Sequence, residues 1–184
     1  MKKVYQLLAA MVFILAAVGA GHERVSFATM QEYQVKAAFL MNFAKFVDWP
    51  PAAFSDDHAP FVLGIVGDDP SGGAIEALNG QVVKNRTIKV QRLSGTDGLQ
   101  LCHMLYIGPS ESAHLRGVAR AIGTAPVLTV SDGVEQFAQQ GIVINFLLVD
   151  NKIRFEINVA VAKKAGLSMA AQLLQVGKVV DSEQ

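Results

Sequence analysis

The alternation of apolar and polar residues is clearest between residues 141 and 158, which predict two strands joined by a tight turn. The first strand, Ile142 to Val149, is apolar except for Asn145, as is typical of a strand covered on both faces. Asp150-Asn151 supplies a two-residue turn, because both residue types tolerate the positive φ that tight hairpins require. The second strand alternates strictly between Ile153, Phe155 and Ile157 on one side and Lys152, Arg154 and Glu156 on the other. This alternation predicts a half-exposed strand at the sheet edge.

Residues Met30 to Trp49 predict a helix, which Pro50-Pro51 ends because the residue before a proline is pushed out of helical angles. Its apolar side is predicted to contain Val35, Phe39, Leu40, Phe43, Phe46 and Val47. Lys36 falls inside this apolar side. Either its stem lies on the aromatic rings while its ammonium reaches water, or it forms an ion pair or an anion site beneath the helix. Lysines usually keep their charge in water, which favours the first interpretation.

Strands and helices alternate along the rest of the chain. Further strands are predicted at residues 61–67, 88–90, 101–108 and 125–131, and further helices at residues 71–78, 109–120, 134–138, 158–164 and after Ser168. Such alternation favours a largely parallel sheet with helices on both faces. The predicted fold class is therefore α/β: a single-domain layered αβα sandwich whose mostly parallel sheet carries an antiparallel edge hairpin.

The N-terminus predicts a secretory signal peptide over residues 1–28. Lys2 and Lys3 precede an apolar run, and the small residues after it offer cleavage after Ala20 or after Ala28. The run is short for a membrane span of about 20 residues, so an uncleaved anchor is the less favoured interpretation. We therefore expect a periplasmic domain of residues 29–184, with no membrane insertion after processing.

Composition narrows the classes of partner. With 51% hydrophobic and 17% charged residues, the chain has enough apolar residues for a sizeable core. Its formal net charge is zero and it has no basic stripe, which argues against nucleic acid as a partner. Cys102 is the single cysteine, so an internal disulfide is excluded, while pairing between two chains stays conceivable. Cys102 is most simply a small buried hydrophobic residue.

No enzyme template fits this sequence. It has no glycine-x-serine-x-glycine motif, and His58, His103 and His114 are scattered, without metal-ligand spacing. Cys102 and His103 are adjacent on a predicted strand and point to opposite faces, so they cannot pair as nucleophile and base. We expect His103 to be a satisfied core or boundary residue. No catalytic residue, cofactor or metal is predicted.

Two surfaces are candidates for binding. Asp68, Asp69 and Asp132 follow two strands at the same sheet edge, where they could bind a cation or an amine, although aspartate is also common in turns. The loop that contains Asp68 and Asp69, GDDPSGG, lacks the lysine and the glycine spacing of phosphate-binding loops. Charged Arg154 and Glu156 on the predicted edge strand are either a solvated face or a docking surface.

Five segments of the chain resemble the YfiR family, in the same order and over nearly all of the mature domain. They are YQVKAAFLMNFAKFVDWP (33–50), FVLGIVGDDPSG (61–72), CHMLYIGPSE (102–111), PVLTVSD (126–132) and GIVINFLLVDNKIRFEINVAVAKKAGL with the following SxxxQLL (141–174). The resemblance implies a small exported α/β domain that represses a membrane-bound diguanylate cyclase by binding its periplasmic domain. It also implies a role in cyclic-di-GMP signalling, biofilm matrix and motility. Some members of the family carry several cysteines, whereas this chain has one.

Two hypotheses follow. The first is a periplasmic regulator without catalysis that binds an inner-membrane signalling protein through Asp48, Trp49, Arg154 and Glu156, with a homodimer also compatible. Trp49 is alternatively a core anchor at the end of the helix. The second hypothesis is a small-molecule or ion sensor that uses the crevice at Asp68, Asp69 and Asp132. An enzyme is the least favoured class, because no nucleophile–base pair can be assembled.

Overall fold

The computed structural model describes residues 27–180, with side chains from residue 30 onward. Its α-helices are Phe27–Phe46 (α1), Leu115–Ile122 (α2), Val159–Lys164 (α3) and Ala171–Val176 (α4). Its strands are Val47–Asp48 (β1), Phe61–Val66 (β2), Val82–Val83 (β3), Arg86–Leu93 (β4), Met104–Ile107 (β5), Leu128–Asp132 (β6), Ile144–Val149 (β7), Lys152–Asn158 (β8), Ser168–Met169 (β9) and Lys178–Val180 (β10). The predicted signal peptide lies outside the described residues, apart from its last two positions. In the described part of the chain, no helix is long and apolar enough to cross a membrane.

Eight strands form one sheet in the order β10-β8-β7-β6-β5-β2-β4-β3. Neighbouring strands run parallel except in the pairs β7–β8 and β3–β4. Helix α1 packs on one face of the sheet and α2 on the other. The predicted fold class, a layered αβα sandwich with a mostly parallel sheet and an antiparallel hairpin, is confirmed. The short strands β1 and β9 form a separate antiparallel pair that joins the end of α1 to the segment before α4.

The β7–β8 hairpin has the predicted turn, since Asp150 and Asn151 adopt φ of 49° and 56° and Val149 pairs with Lys152. The sheet continues one strand beyond β8, however, because β10 pairs with residues 156–158. Only the first half of β8 therefore lies at an edge. On the other side, β6 pairs with β7 only as far as Phe146. Residues 147–154, here called the hairpin arm, thus extend past both neighbouring strands.

The sheet buries apolar side chains on both faces, as the continuous apolar runs of its central strands require. In β5, Met104 and Tyr106 belong to the core beneath α1, whereas Leu105 and Ile107 belong to the core beneath α2. The α1 side contains packed aromatic rings: the centre of the Phe43 ring lies 5.6 Å from that of Phe146 and 5.0 Å from that of Phe155.

Helix α1 is rotated relative to the predicted apolar side. Val35 and Phe46 are 41% and 39% exposed, so the prediction that they are buried is wrong. The buried stripe instead includes Tyr33, Ala37, Leu40 and Ala44, at the spacing of one helical face. The two alanines let the helix approach the sheet closely, which large aromatic residues at those positions would prevent.

Strand β5 begins at Met104, whereas residues 99–101 form a 3₁₀ turn, so the predicted strand start at Leu101 is wrong. Cys102 consequently packs in the α2-side core with Leu105, and His103 stacks on Phe61 of the α1-side core. The two side chains still lie on opposite sides of the sheet, which confirms the prediction that they point to opposite faces. Burial raises the pKa of the Cys102 thiol, which keeps it protonated.

Candidate functional site

The side chain of Lys36 points from α1 towards the sheet, and the residue is only 3% exposed. Its Nζ donates to both carboxylate oxygens of Asp132 at the end of β6, at 2.6 and 2.7 Å. Glu32, one turn earlier on α1, places Oε1 2.5 Å from the same Nζ. The prediction that Lys36 reaches water is therefore wrong, and the ion-pair interpretation is confirmed. The ammonium turns inward because a buried charge is costly unless it is paired.

Two tyrosines complete the surroundings of this ion pair. Tyr106 on β5 donates its hydroxyl to Oδ2 of Asp132 at 2.9 Å. The Lys36 Nζ lies 4.3 Å from the centre of the Tyr33 ring, as in a cation–π contact. Burial and the negative charge of Asp132 raise the pKa of both tyrosine hydroxyls above its ordinary value, so both stay protonated. The resulting polar network ties α1 to the middle of the sheet.

The three aspartates of the predicted crevice have different surroundings. The Asp132 carboxylate is engaged by Lys36, and the buried Asp69 carboxylate accepts a hydrogen bond from the Arg92 guanidinium at 3.0 Å. Asp68 is exposed. Asp132 ends β6, whereas Asp69 lies in the loop after β2; strand β5 separates these two strands, which are therefore about 10 Å apart in the sheet. Within residues 30–180, no group of three or more His, Cys, Asp or Glu side chains could hold a metal ion.

Asp48 and Trp49 lie where α1 ends, near the start of β2 and β5. Asp48 is exposed and forms an ion pair with Lys84. Trp49 is half-buried: its Nε1 donates to the His103 carbonyl at 2.9 Å, and its ring meets Phe61 edge-on with 5.0 Å between ring centres. These contacts favour the core-anchor interpretation of Trp49.

Arg154 and Glu156 lie on the face of β8 that points away from α1. Arg154 is exposed on the hairpin arm and takes part in no ion pair among the described residues. Glu156 is half-buried and accepts a hydrogen bond from Lys178 of β10 at 2.8 Å. Arg154 lies where β7 ends, whereas Asp48 and Trp49 lie where the parallel strands begin. The structure therefore does not bring the two predicted contact pairs together.

A groove of about 590 Å³ runs between the first half of α1 and the hairpin arm. Val35 and Phe39 line it from α1, and Leu148 and Ile153 line it from the arm. Its rim is polar, with Glu32 from α1 and Lys152 from the arm among its lining residues. Such a surface suits a partner segment that carries both apolar and polar side chains. The groove forms because the arm extends beyond the sheet at the same end as the start of α1.

Exposed apolar side chains mark the tip of the hairpin arm. Leu148 and Val149 are 56% and 46% exposed, so the prediction that the strand is covered on both faces is wrong at this end. The reason is that β6 ends opposite Phe146 and leaves the rest of β7 without that neighbour. A signal for this was present in the sequence, since the apolar run of β7 continues past the point where its neighbour turns polar at Asp132.

Both ring nitrogens of His103 form hydrogen bonds within the fold. Its Nδ1 accepts the Val62 backbone N–H at 3.0 Å, so Nε2 carries the proton and donates to the Ala53 carbonyl at 3.0 Å. Its ring stacks on Phe54 with 4.2 Å between ring centres. Burial lowers the pKa of the imidazole, which is therefore neutral. The prediction that His103 is a satisfied core residue is confirmed.

Comparison of the sequence with protein-family models identifies one matching family. A family model described as YfiR/HmsC-like matches residues 33–178, which include the Lys36–Asp132 ion pair and the hairpin arm. No curated protein matches the chain.

Proposed function

The chain belongs to the YfiR/HmsC-like family, and from that membership we propose that it is a periplasmic protein that represses a membrane-bound diguanylate cyclase. The family match confirms the resemblance seen in the sequence and supports, at the family level, a periplasmic regulator of cyclic-di-GMP signalling. The proposal adds that the chain is exported by its signal peptide, acts without catalysis, and binds the periplasmic domain of the cyclase.

The hairpin arm is the observation that carries this proposal. It extends past β6 on one side and β10 on the other, so the outer edges of residues 147–149 and 152–154 have no paired strand among the described residues. An open strand edge is a natural place for another chain to add through main-chain hydrogen bonds. The exposed Leu148 and Val149 add apolar contact at the same position.

The charge of the arm indicates the chemistry of its partner. Lys152 and Arg154 are both exposed on it, and neither forms an ion pair within the described part of the chain. Asp150 in the turn is also exposed, so the arm has a net charge of +1. An apolar and basic surface is complementary to a strand or loop that carries apolar and acidic side chains. We therefore infer that the cyclase presents such a segment to the arm. Asp48 and Trp49 lie at the opposite end of the sheet and are therefore not part of this surface.

Repression requires a difference in affinity between two states of the receptor. A protein that binds both states equally shifts nothing, so the arm must prefer the inactive conformation. To move a receptor from almost fully active to almost fully inactive, the preference has to reach about 5.5 kcal/mol, or about 10⁴-fold. Repression therefore needs a specific interface, beyond a few exposed side chains.

The experiment is co-purification of the processed protein with the detergent-extracted cyclase, together with cyclic-di-GMP output in cells. We expect Arg154→Glu and Leu148→Asp each to weaken binding at least about tenfold and to raise output, since each removes a complementary contact. Arg116→Glu, a charge reversal at an exposed residue of α2, is the matched control and should change neither readout.

Retained binding and unchanged output in both arm variants would remove the arm from the proposal. Loss of binding in the Arg116→Glu control as well would show that the effect is not specific to the arm. A third result is also informative: if Leu148→Asp dissociates a dimer of this chain but leaves cyclase binding intact, then the arm joins two copies and the receptor binds elsewhere. Thermal unfolding of each variant checks that the fold is retained.

A further inference from the structure

A second concave site lies at the other end of the sheet, away from the hairpin arm. It is a cavity of about 270 Å³ between α2, α3 and the starts of β6 and β7. Its buried lining is aliphatic: Ile122 comes from α2, and Val127 and Val143 come from the sheet. The proposed function does not use this cavity, because the cavity is formed by different elements from those of the arm.

One polar group is placed among these aliphatic side chains. Thr129 lines the cavity and is 3% exposed, and its Oγ1 accepts the Val143 backbone N–H at 2.9 Å. A hydroxyl that accepts in this way still has its own proton to donate. That proton has no acceptor in the described part of the chain.

Two cations lie at the mouth of the cavity. Arg120 of α2 and Lys164 of α3 both line the cavity. Neither takes part in an ion pair among residues 30–180, although acidic partners engage Lys36, Lys84 and Arg92 elsewhere. Both residues lie in the last turn of their helices, where each helix end contributes only about half a negative charge. The mouth therefore has a net positive charge and favours an anion.

We propose that this cavity binds a small amphipathic carboxylate, with its apolar part against Ile122, Val127 and Val143 and its carboxylate between Arg120 and Lys164. The volume corresponds to about nine water molecules at about 30 Å³ each, which limits the ligand to the size of a medium-chain fatty acid or a simple aromatic acid. Apolar walls with a few placed polar groups are the usual composition of small-molecule sites.

The experiment is calorimetric titration of the purified protein with octanoate and benzoate, with octanamide as a neutral analogue and octylamine as a cationic one. We expect at least one of the two carboxylates to bind with a dissociation constant below about 1 mM and to raise the melting temperature. Octanamide and octylamine should bind at least about tenfold more weakly, because they lack the negative charge.

Variants locate the site. Arg120→Gln and Lys164→Gln should each weaken carboxylate binding about tenfold, whereas Arg116→Gln and Lys163→Gln, which change exposed cations on the same two helices outside the cavity, should leave it unchanged. Ala165→Leu should abolish binding by filling the cavity, and Ala125→Leu does the same from another wall if the first variant unfolds.

Three results would overturn the proposal. They are no binding of either acid, equal binding of octanoate and octanamide, and binding that survives both the charge variants and the filled cavity. Because the titration uses the protein without its receptor, its outcome is independent of whether the hairpin arm binds a cyclase.

Discussion

Replacing Lys36 by methionine tests the reasoning about the buried ion pair most directly. Methionine keeps the length and apolar stem of lysine but removes the ammonium that contacts Asp132 and Glu32. The Asp132 carboxylate would then stay buried at 7% exposure without a cation beside it, while the Tyr106 hydroxyl still donates to it. A buried charge without its counter-ion is among the most destabilising changes that a single substitution can make.

The structure also ranks the related substitutions. Removing one partner of a buried ion pair costs about 3 to 5 kcal/mol, and we expect Lys36→Met to lie near the lower value because the Tyr106 hydrogen bond remains. Asp132→Asn should cost less, about 1 to 2 kcal/mol, since Lys36 keeps Glu32 as a partner. The double variant should be more stable than the sum of the two single losses predicts, with a coupling of about 1 kcal/mol or more.

Urea unfolding of the processed protein measures all three values. A loss of 3 kcal/mol corresponds to a midpoint lower by about 1 to 2 M urea, with an unchanged slope if the denatured state is unaffected. Lys45→Met, on the same helix but exposed, is the matched control and should change stability by less than about 1 kcal/mol. If Lys36→Met is no more destabilising than Lys45→Met, the ion pair does not hold α1 on the sheet.

Two further predictions concern the sheet and its loops. Burial lowers the pKa of His103 below the value of about 6.5 that it has in the unfolded chain, so stability should fall as the pH drops through 6.5 towards the folded pKa. Unfolding measured at pH 7.5 and 5.5 should show a smaller loss of stability in His103→Gln than in the unmodified protein. An equal loss in both proteins would contradict the assignment. Gly108→Ala should destabilise the protein by about 3 kcal/mol, because the added methyl group would overlap the Asp68 carbonyl. Gly117→Ala in α2, where the new methyl group meets open space, should instead stabilise the protein by about 0.5 to 1 kcal/mol. Equal melting temperatures for the two variants would exclude the close approach at Gly108.

Local patterns in the sequence were sufficient for the elements whose structure depends on neighbouring residues. The Asp150-Asn151 turn and the alternation along β8 predicted the hairpin and the position of its turn, because turn chemistry and side-chain period are local properties. The start of β5 was misplaced because residues 99–101 are partly apolar and form a turn instead of strand. The three-residue β10 was not predicted, since so short a segment has no detectable period.

The polar network beneath α1 shows where such patterns stop being sufficient. The sequence marked Lys36 as a residue that breaks an apolar face, and it separately marked Asp132 as able to bind an amine. Nothing local connects the two residues, which are 96 positions apart, and only the topology brings the start of α1 over the end of β6. The open edges of the hairpin arm depend likewise on how far β6 and β10 extend, which is a property of neighbouring strands.

The position of α1 over β6, β7 and β8 has a consequence for how the chain folds during biosynthesis. The helix is synthesised first, yet Asp132, Phe146 and Phe155, which receive its charge and its aromatic rings, leave the ribosome only near the end of translation. Until then its apolar stripe stays in water, and closure of so long a loop makes docking of the helix a late and slow step. If the chain is exported by its signal peptide, as we propose, a late docking of α1 leaves the precursor unfolded for longer before it crosses the membrane.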